Sequence, residues 1–129
     1  GKGQERVRRY SALTDVSLQL KSLGSYYGSV YYQEPFYQLM RQTLWAENVV
    51  KLKEENLKAD NYMHIHVIPS DNKALLSKKY SVSGMGMEET WRSMLSEQSK
   101  YIIVDPQKLL EPIKDKYPEL ASYLKKRYW

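Results

Sequence analysis

Cysteine is absent from all 129 residues. That excludes a disulfide framework, a thiolate zinc site and a cysteine nucleophile, and it fits a reducing compartment. Long apolar runs are absent as well. None approaches the roughly 18 residues that cross a bilayer, and the opening residues lack the apolar core of a signal peptide. The expectation is a soluble cytoplasmic chain with no membrane partner. No Ser-His-Asp order, glycine-rich phosphate loop or dinucleotide fingerprint is present, so a small-molecule enzyme has no motif to rest on. Gly84-Met85-Gly86 marks a loop and nothing more.

What the chain does contain is ordinary globular material. Apolar residues make up 42% and charged residues 27%, which argues against wholesale disorder. The length suits one domain or a part of one. An opening Gly1-Lys2-Gly3 without an initiator Met suggests a fragment. The net charge of +5 permits contact with a polyanion without requiring it. Distribution says more, with Arg6, Arg8 and Arg9 at one end and Lys125, Lys126 and Arg127 at the other. Twelve tyrosines accompany three tryptophans and one phenylalanine. A ring carrying a hydroxyl suits half-buried surfaces and interfaces.

Hydrophobic spacing predicts a helix over 5–22, with Val7, Tyr10, Leu13 and Val16 or Ser17 on one face. Gly24 to Tyr32 reads as a loop or a short edge strand. Glu34-Pro35 opens the best-defined helix, proline being favoured in a first turn. Phe36, Leu39, Met40, Leu44, Ala46 and Val50 form its apolar arc, with Trp45 and Leu52 near the other side, so both faces are expected to touch something. Asn56 to Asn61 breaks the pattern. Tyr62 to Ile68 alternates as a strand, with Met63, Ile65 and Val67 on one face and Tyr62, His64, His66 and Ile68 on the other.

Pro69 stops that strand, and Ser70 or Asp71 can cap a helix to about Tyr80. Glu88 to Gln98 predicts a helix carrying Trp91, Met94 and Leu95. Tyr101 to Val104 is a short apolar strand of the kind buried on both sides. Asp105-Pro106 starts a helix through Leu109 and Leu110, and Pro118 opens the last, with Leu120, Tyr123 and Leu124 inward. Strands separated by helices imply an α/β chain with parallel pairing. Two strands make a meagre sheet, so another strand is expected from a partner, a second copy or an upstream segment.

The run Tyr37-Gln38-Leu39-Met40-Arg41-Gln42-Thr43-Leu44-Trp45-Ala46 resembles the Q-L-x-R-x-x-L-x-A helix of a bacterial branch of the PD-(D/E)XK restriction-endonuclease-like superfamily. In that branch a strand ending in proline, then an Asn, follows, as Tyr62 to Pro69 and Asn72 do here. The strand and L-x-x-L segment that complete the pattern match Tyr101 to Leu110, and Arg9-Tyr10 matches an upstream Arg-Tyr pair. The resemblance covers most of the chain. It implies a restriction-endonuclease-like partial core, a small mostly parallel sheet flanked by several helices. The whole of 1–129 would be a single partial domain, with 85–129 as a C-terminal helical extension.

The resemblance also implies chemistry. In the superfamily two carboxylates hold Mg²⁺ beside the scissile phosphate and a lysine assists the nucleophile. Those residues precede everything matched here, so the chain is expected to hold no Mg²⁺ site and to be inert alone. Gln38 and Arg41 match the helix positions that point toward the metal site or the phosphate; otherwise they are polar residues facing solvent. Arg6, Arg8, Arg9 and Tyr10 are candidates for tracking a DNA backbone, against a merely solvated helix end.

Other residues draw attention and resist promotion. Asp71-Asn72-Lys73 has the Asp-x-Lys form, but it opens a helix rather than lying in a strand, so Asp71 reads as a cap. His64 and His66 share a strand face and would need further metal ligands, so hydrogen-bonded sheet residues are the better reading. Glu47 falls inside the apolar arc, where it needs a Lys or Arg partner or marks an interruption. A non-catalytic protein- or nucleic-acid-binding module is the alternative to the nuclease reading, since an incomplete sheet favours pairing with a partner.

Overall fold

The computed structural model describes residues 2–21, 30–52 and 58–128. Among them are six α-helices and two strands: α1 (Lys2–Val16), α2 (Phe36–Leu52), β1 (His64–Val67), α3 (Lys73–Ser77), α4 (Met87–Ser93), β2 (Tyr101–Val104), α5 (Pro106–Lys116) and α6 (Pro118–Tyr128). Short 3-10 turns at Val30–Tyr32 and Gln98–Lys100 precede α2 and β2. The expected helix–strand order and mixed α/β class both hold. Of the Gly24–Tyr32 stretch, 24–29 lie outside the described residues, as do 56 and 57 of the predicted break before β1.

The strands pair in parallel, His64 opposite Tyr101 through Val67 opposite Val104. Ile68 N–H continues the ladder to Val104 O at 3.0 Å. Alternation splits them as the sequence predicts, but the faces have unequal fates. His64, His66, Tyr101 and Ile103 turn toward the core, while Met63, Ile65, Val67 and Ile102 are exposed. The expectation that β2 is covered on both sides is therefore corrected, Ile102 being 37% exposed. Tyr101 decides the inward face, because a buried phenol needs a polar neighbour and His66 supplies one at 2.7 Å.

The core is aromatic at its centre. Trp91 is 0% exposed. Phe36 stacks on it at 6.3 Å between ring centroids, and Tyr31 and Tyr101 meet it edge-on. Four tyrosines, Tyr31, Tyr37, Tyr80 and Tyr101, belong to this core, so much of the tyrosine content serves packing rather than a wet surface.

Several boundaries differ from those the spacing predicts. Helix α1 stops at Val16 rather than continuing to 22, because Glu47 of α2 takes the next amides, Leu18 N–H and Gln19 N–H, both at 3.2 Å. Beyond it Leu20 bridges Leu95 in antiparallel fashion. The Gln19 side chain closes this seam, donating to Glu97 O at 2.7 Å and accepting from Glu97 N–H at 2.9 Å. Asn72, not Ser70 or Asp71, caps α3 by accepting from Leu75 N–H, and α3 ends at Ser77. Gly84, with φ +69, sits in the turn after Tyr80, where its N–H reaches Tyr80 O; a positive φ suits glycine. Asp105 caps α5 through Gln107 N–H, as predicted. On α6 the inward residue is Ala121, while Leu120 and Tyr123 are exposed; a small side chain lets the α5–α6 hairpin close.

Candidate functional site

Helix periodicity sets up the site. Arg6, Arg9, Tyr10 and Leu13 recur at three and four residues along one face of α1. On α2, Tyr37 and Arg41 are one turn apart, and Gln38, Arg41, Trp45 and Asn48 continue along one face. The two helices meet ring to ring, Tyr10 against Tyr37 edge-on at 5.7 Å. Guanidinium groups close over these rings: Arg6 lies 4.0 Å from the Tyr37 centroid, and Arg41 lies 5.5 Å from Tyr37 and 6.0 Å from Tyr10. Arg9 joins the cluster at the Tyr10 hydroxyl. Partial burial would raise the Tyr10 phenol, but the Arg41 charge and the polar groups of Tyr37, Arg9 and Arg41 outweigh it and hold it below its ordinary value.

Carboxylates balance this charge only loosely. Arg6 lies 3.9 Å from Glu34 and Arg9 lies 3.5 Å from Glu5. Both pairs are exposed, and such pairs contribute little. A recess of about 310 Å³ opens between Glu5, Arg6, Arg9 and Tyr37.

From this cluster a groove of about 1180 Å³ runs between α1 and α2. Leu13, Val16 and Leu18 form one wall, and Leu44, Trp45 and Val50 the other. Trp45 is 64% exposed and Leu18 is 88% exposed. The expectation that both faces of α2 are covered is corrected here, because Trp45 faces the open groove. The far end carries three carboxylates, Glu47, Asp60 and Glu97, together with Lys51 and Lys100, the Lys100 ammonium lying 4.7 Å from the Tyr62 ring. There the Tyr62 phenol is pushed up to about 12, first by burial and then by Glu47 and Glu97.

The sequence candidates sort cleanly. Arg6, Arg9, Tyr10 and Arg41 come together, and Gln38 lines the groove beside Tyr10 and Arg41. Arg8 is exposed and points off the shared face of α1. Of the two readings for Glu47, the interruption of the arc is the one that fits: the buried residues of α2 end at Thr43, and the Glu47 carboxylate accepts from Ser17 Oγ at 2.5 Å and from the two amides beyond α1. Sequence reasoning missed Tyr37 and the groove role of Trp45. The i, i+4 spacing of Tyr37 to Arg41 was available as a signal. Trp45 counted as apolar, and only the structure shows that it is left exposed among the described residues.

His64 and His66 are engaged in the way hydrogen-bonded sheet residues are. His64 Nε2–H donates to Gln42 Oε1 at 2.8 Å, and His66 Nδ1 lies 2.7 Å from the Tyr101 hydroxyl. Burial pulls both imidazoles below their ordinary value, with His66 adding to the effect on His64. Among the described residues no three His, Cys, Asp or Glu side chains are grouped to hold a metal. No described helix is long and apolar enough to cross a membrane.

The model of a family described as "Restriction Endonuclease associating with ARP" matches residues 2–129. No curated protein and no solved structure matches the chain.

Proposed function

The chain belongs to the family of restriction endonucleases associating with ARP, and from that premise we propose that it is the phosphate-gripping back half of a metal-dependent DNA endonuclease. The observation that carries this reading is the gathering of Arg6 and Arg41 on the Tyr10 and Tyr37 rings, with Arg9 beside them at the Tyr10 hydroxyl. Guanidinium groups bind phosphate oxygens bidentately, and the rings hold two of them in place before DNA arrives. The loose partners Glu5 and Glu34 are readily displaced by a phosphate. Gln38, beside Arg41, orients the backbone or a water. The metal-holding carboxylates come from other sequence, so these residues bind DNA without cutting it.

The test is fluorescence anisotropy with labelled duplex DNA over a salt series. The expected result is binding that weakens with salt. Arg41→Ala should lower affinity about tenfold and reduce the salt slope by about one. With Mg²⁺ present, plasmid DNA should stay intact. No measurable binding, or cleavage by the chain alone, would sink the proposal.

A second reading is favoured by the sheet. Met63, Ile65, Val67 and Ile102 leave an apolar face uncovered, and the family is described as associating with ARP. Such a face suits assembly with a protein partner.

A further inference from the structure

We infer that the groove between α1 and α2 receives one unpaired nucleotide of a bound DNA, its phosphate on the Arg41 cluster and its base stacked on Trp45. This rests on the reading above and names the form of DNA that the site selects.

The argument begins with helix geometry. Arg41 and Trp45 are four residues apart on α2, so they stand one above the other about 6 Å apart along the axis. That is the scale of a single nucleotide, from phosphate to base. Trp45 offers an indole that is 64% exposed, where an exposed tryptophan on a helix would ordinarily be covered. A flat aromatic face beside a guanidinium is the platform on which proteins stack bases freed from a duplex. Bases inside a paired duplex present only their edges to a protein.

The remaining walls fit a base as well. Leu13, Val16 and Leu44 line the same groove as the indole and offer apolar surface to a ring. Asn48 follows Trp45 on the same face and lines the groove too, where its amide can meet base edges. The spacing sets the length. Beyond Trp45 the groove carries mixed charge, Glu47, Asp60 and Glu97 standing beside Lys51 and Lys100, so among the described residues no second cationic cluster is offered to a further phosphate and the Arg41–Trp45 span matches one nucleotide.

The test compares anisotropy titrations of a plain duplex with those of the same duplex carrying one unpaired thymine. The expected result is about tenfold tighter binding of the second. Trp45→Ala should remove that preference, bringing the two DNAs to equal affinity, and Trp45→Phe should keep most of it. Arg41→Ala should weaken both DNAs. Equal affinity for the two DNAs, or a preference that survives Trp45→Ala, overturns the inference while leaving phosphate binding standing. Absence of binding to either DNA instead removes the reading on which it rests.

Discussion

The two ends of the groove are built from the same helix and hold their charged side chains differently. At one end Arg41 of α2 is exposed and lies over the rings of Tyr10 and Tyr37. At the other, Glu47, under two turns further along α2, is locked by Ser17 and by the amides of Leu18 and Gln19. Two tyrosines register the difference. Tyr10, at the cationic end, is held below the ordinary phenol value, and Tyr62, at the acidic end, is pushed up to about 12. The lesson is a division of labour: the acidic end holds the fold, and the cationic end is left free to meet a ligand.

Breaking the acidic end should therefore cost the most in stability. Glu47→Ala leaves the Ser17 hydroxyl and two backbone N–H groups without their acceptor. The seam that Gln19 and Leu20 make with 94–97 starts from that point. A charged acceptor with several donors contributes about 3 kcal/mol, or roughly 10 °C in thermal midpoint for a chain of this size. Glu47→Gln, which keeps one acceptor oxygen, should lose about half as much. Thermal denaturation measures both. A loss under about 1 kcal/mol for Glu47→Ala would mean that the two ends do not differ in kind.

The tyrosines sharpen the contrast without disturbing either end. Ring-labelled tyrosine NMR should show Tyr10 ionising below the ordinary phenol value of 10.0 and Tyr62 at about 12. Arg41→Ala should move Tyr10 upward and leave Tyr62 in place. The linkage signs are opposite. Because the folded value of Tyr62 is raised, its contribution to stability is whole below pH 10.0 and is lost as pH rises toward about 12. The value for Tyr10 is lowered, so its contribution appears on the alkaline side and is lost as pH falls through that lowered value. Coincident titration of the two rings would show that the groove carries no charge gradient.

Much of the fold was legible because it rests on local signals. Pro118, Asp105-Pro106 and the 3.6-residue spacing of Phe36, Leu39 and Met40 fix helix positions by chain chemistry alone. The gathering of Arg6, Arg9, Tyr10 and Arg41 was half legible: each residue stood out, but their meeting depends on how α1 lies against α2. What stayed hidden was decided by tertiary partners. Alternation in 62–68 separates two faces but does not say which is inward, and here the histidines turn in because Tyr101 sits at the core. The apolar stripe of α1 reads as a buried face, yet Val7, Leu13 and Val16 are all exposed. The end of α1 is set by Glu47, some thirty residues away, which no local rule can see.

The smallest expected effect comes from Glu97, at the rim of the acidic end. It lines the groove, and its charge helps raise Tyr62. Its backbone, not its carboxylate, makes the bonds to Gln19. Glu97→Gln should therefore leave stability within about 0.5 kcal/mol, unlike Glu47→Ala at the same end. It should remove one repulsive charge from the path of a bound strand. In high-dielectric surroundings that is worth about 0.5 kcal/mol, or roughly a twofold gain in DNA affinity at low salt that fades as salt rises. Anisotropy with single strands of increasing length is the sharper readout. If a bound strand runs from Trp45 toward this rim, the gain in Glu97→Gln grows with strand length, because only longer strands reach it. A gain independent of length would place the strand elsewhere on the surface, and a loss would mean that the carboxylate itself contacts the DNA.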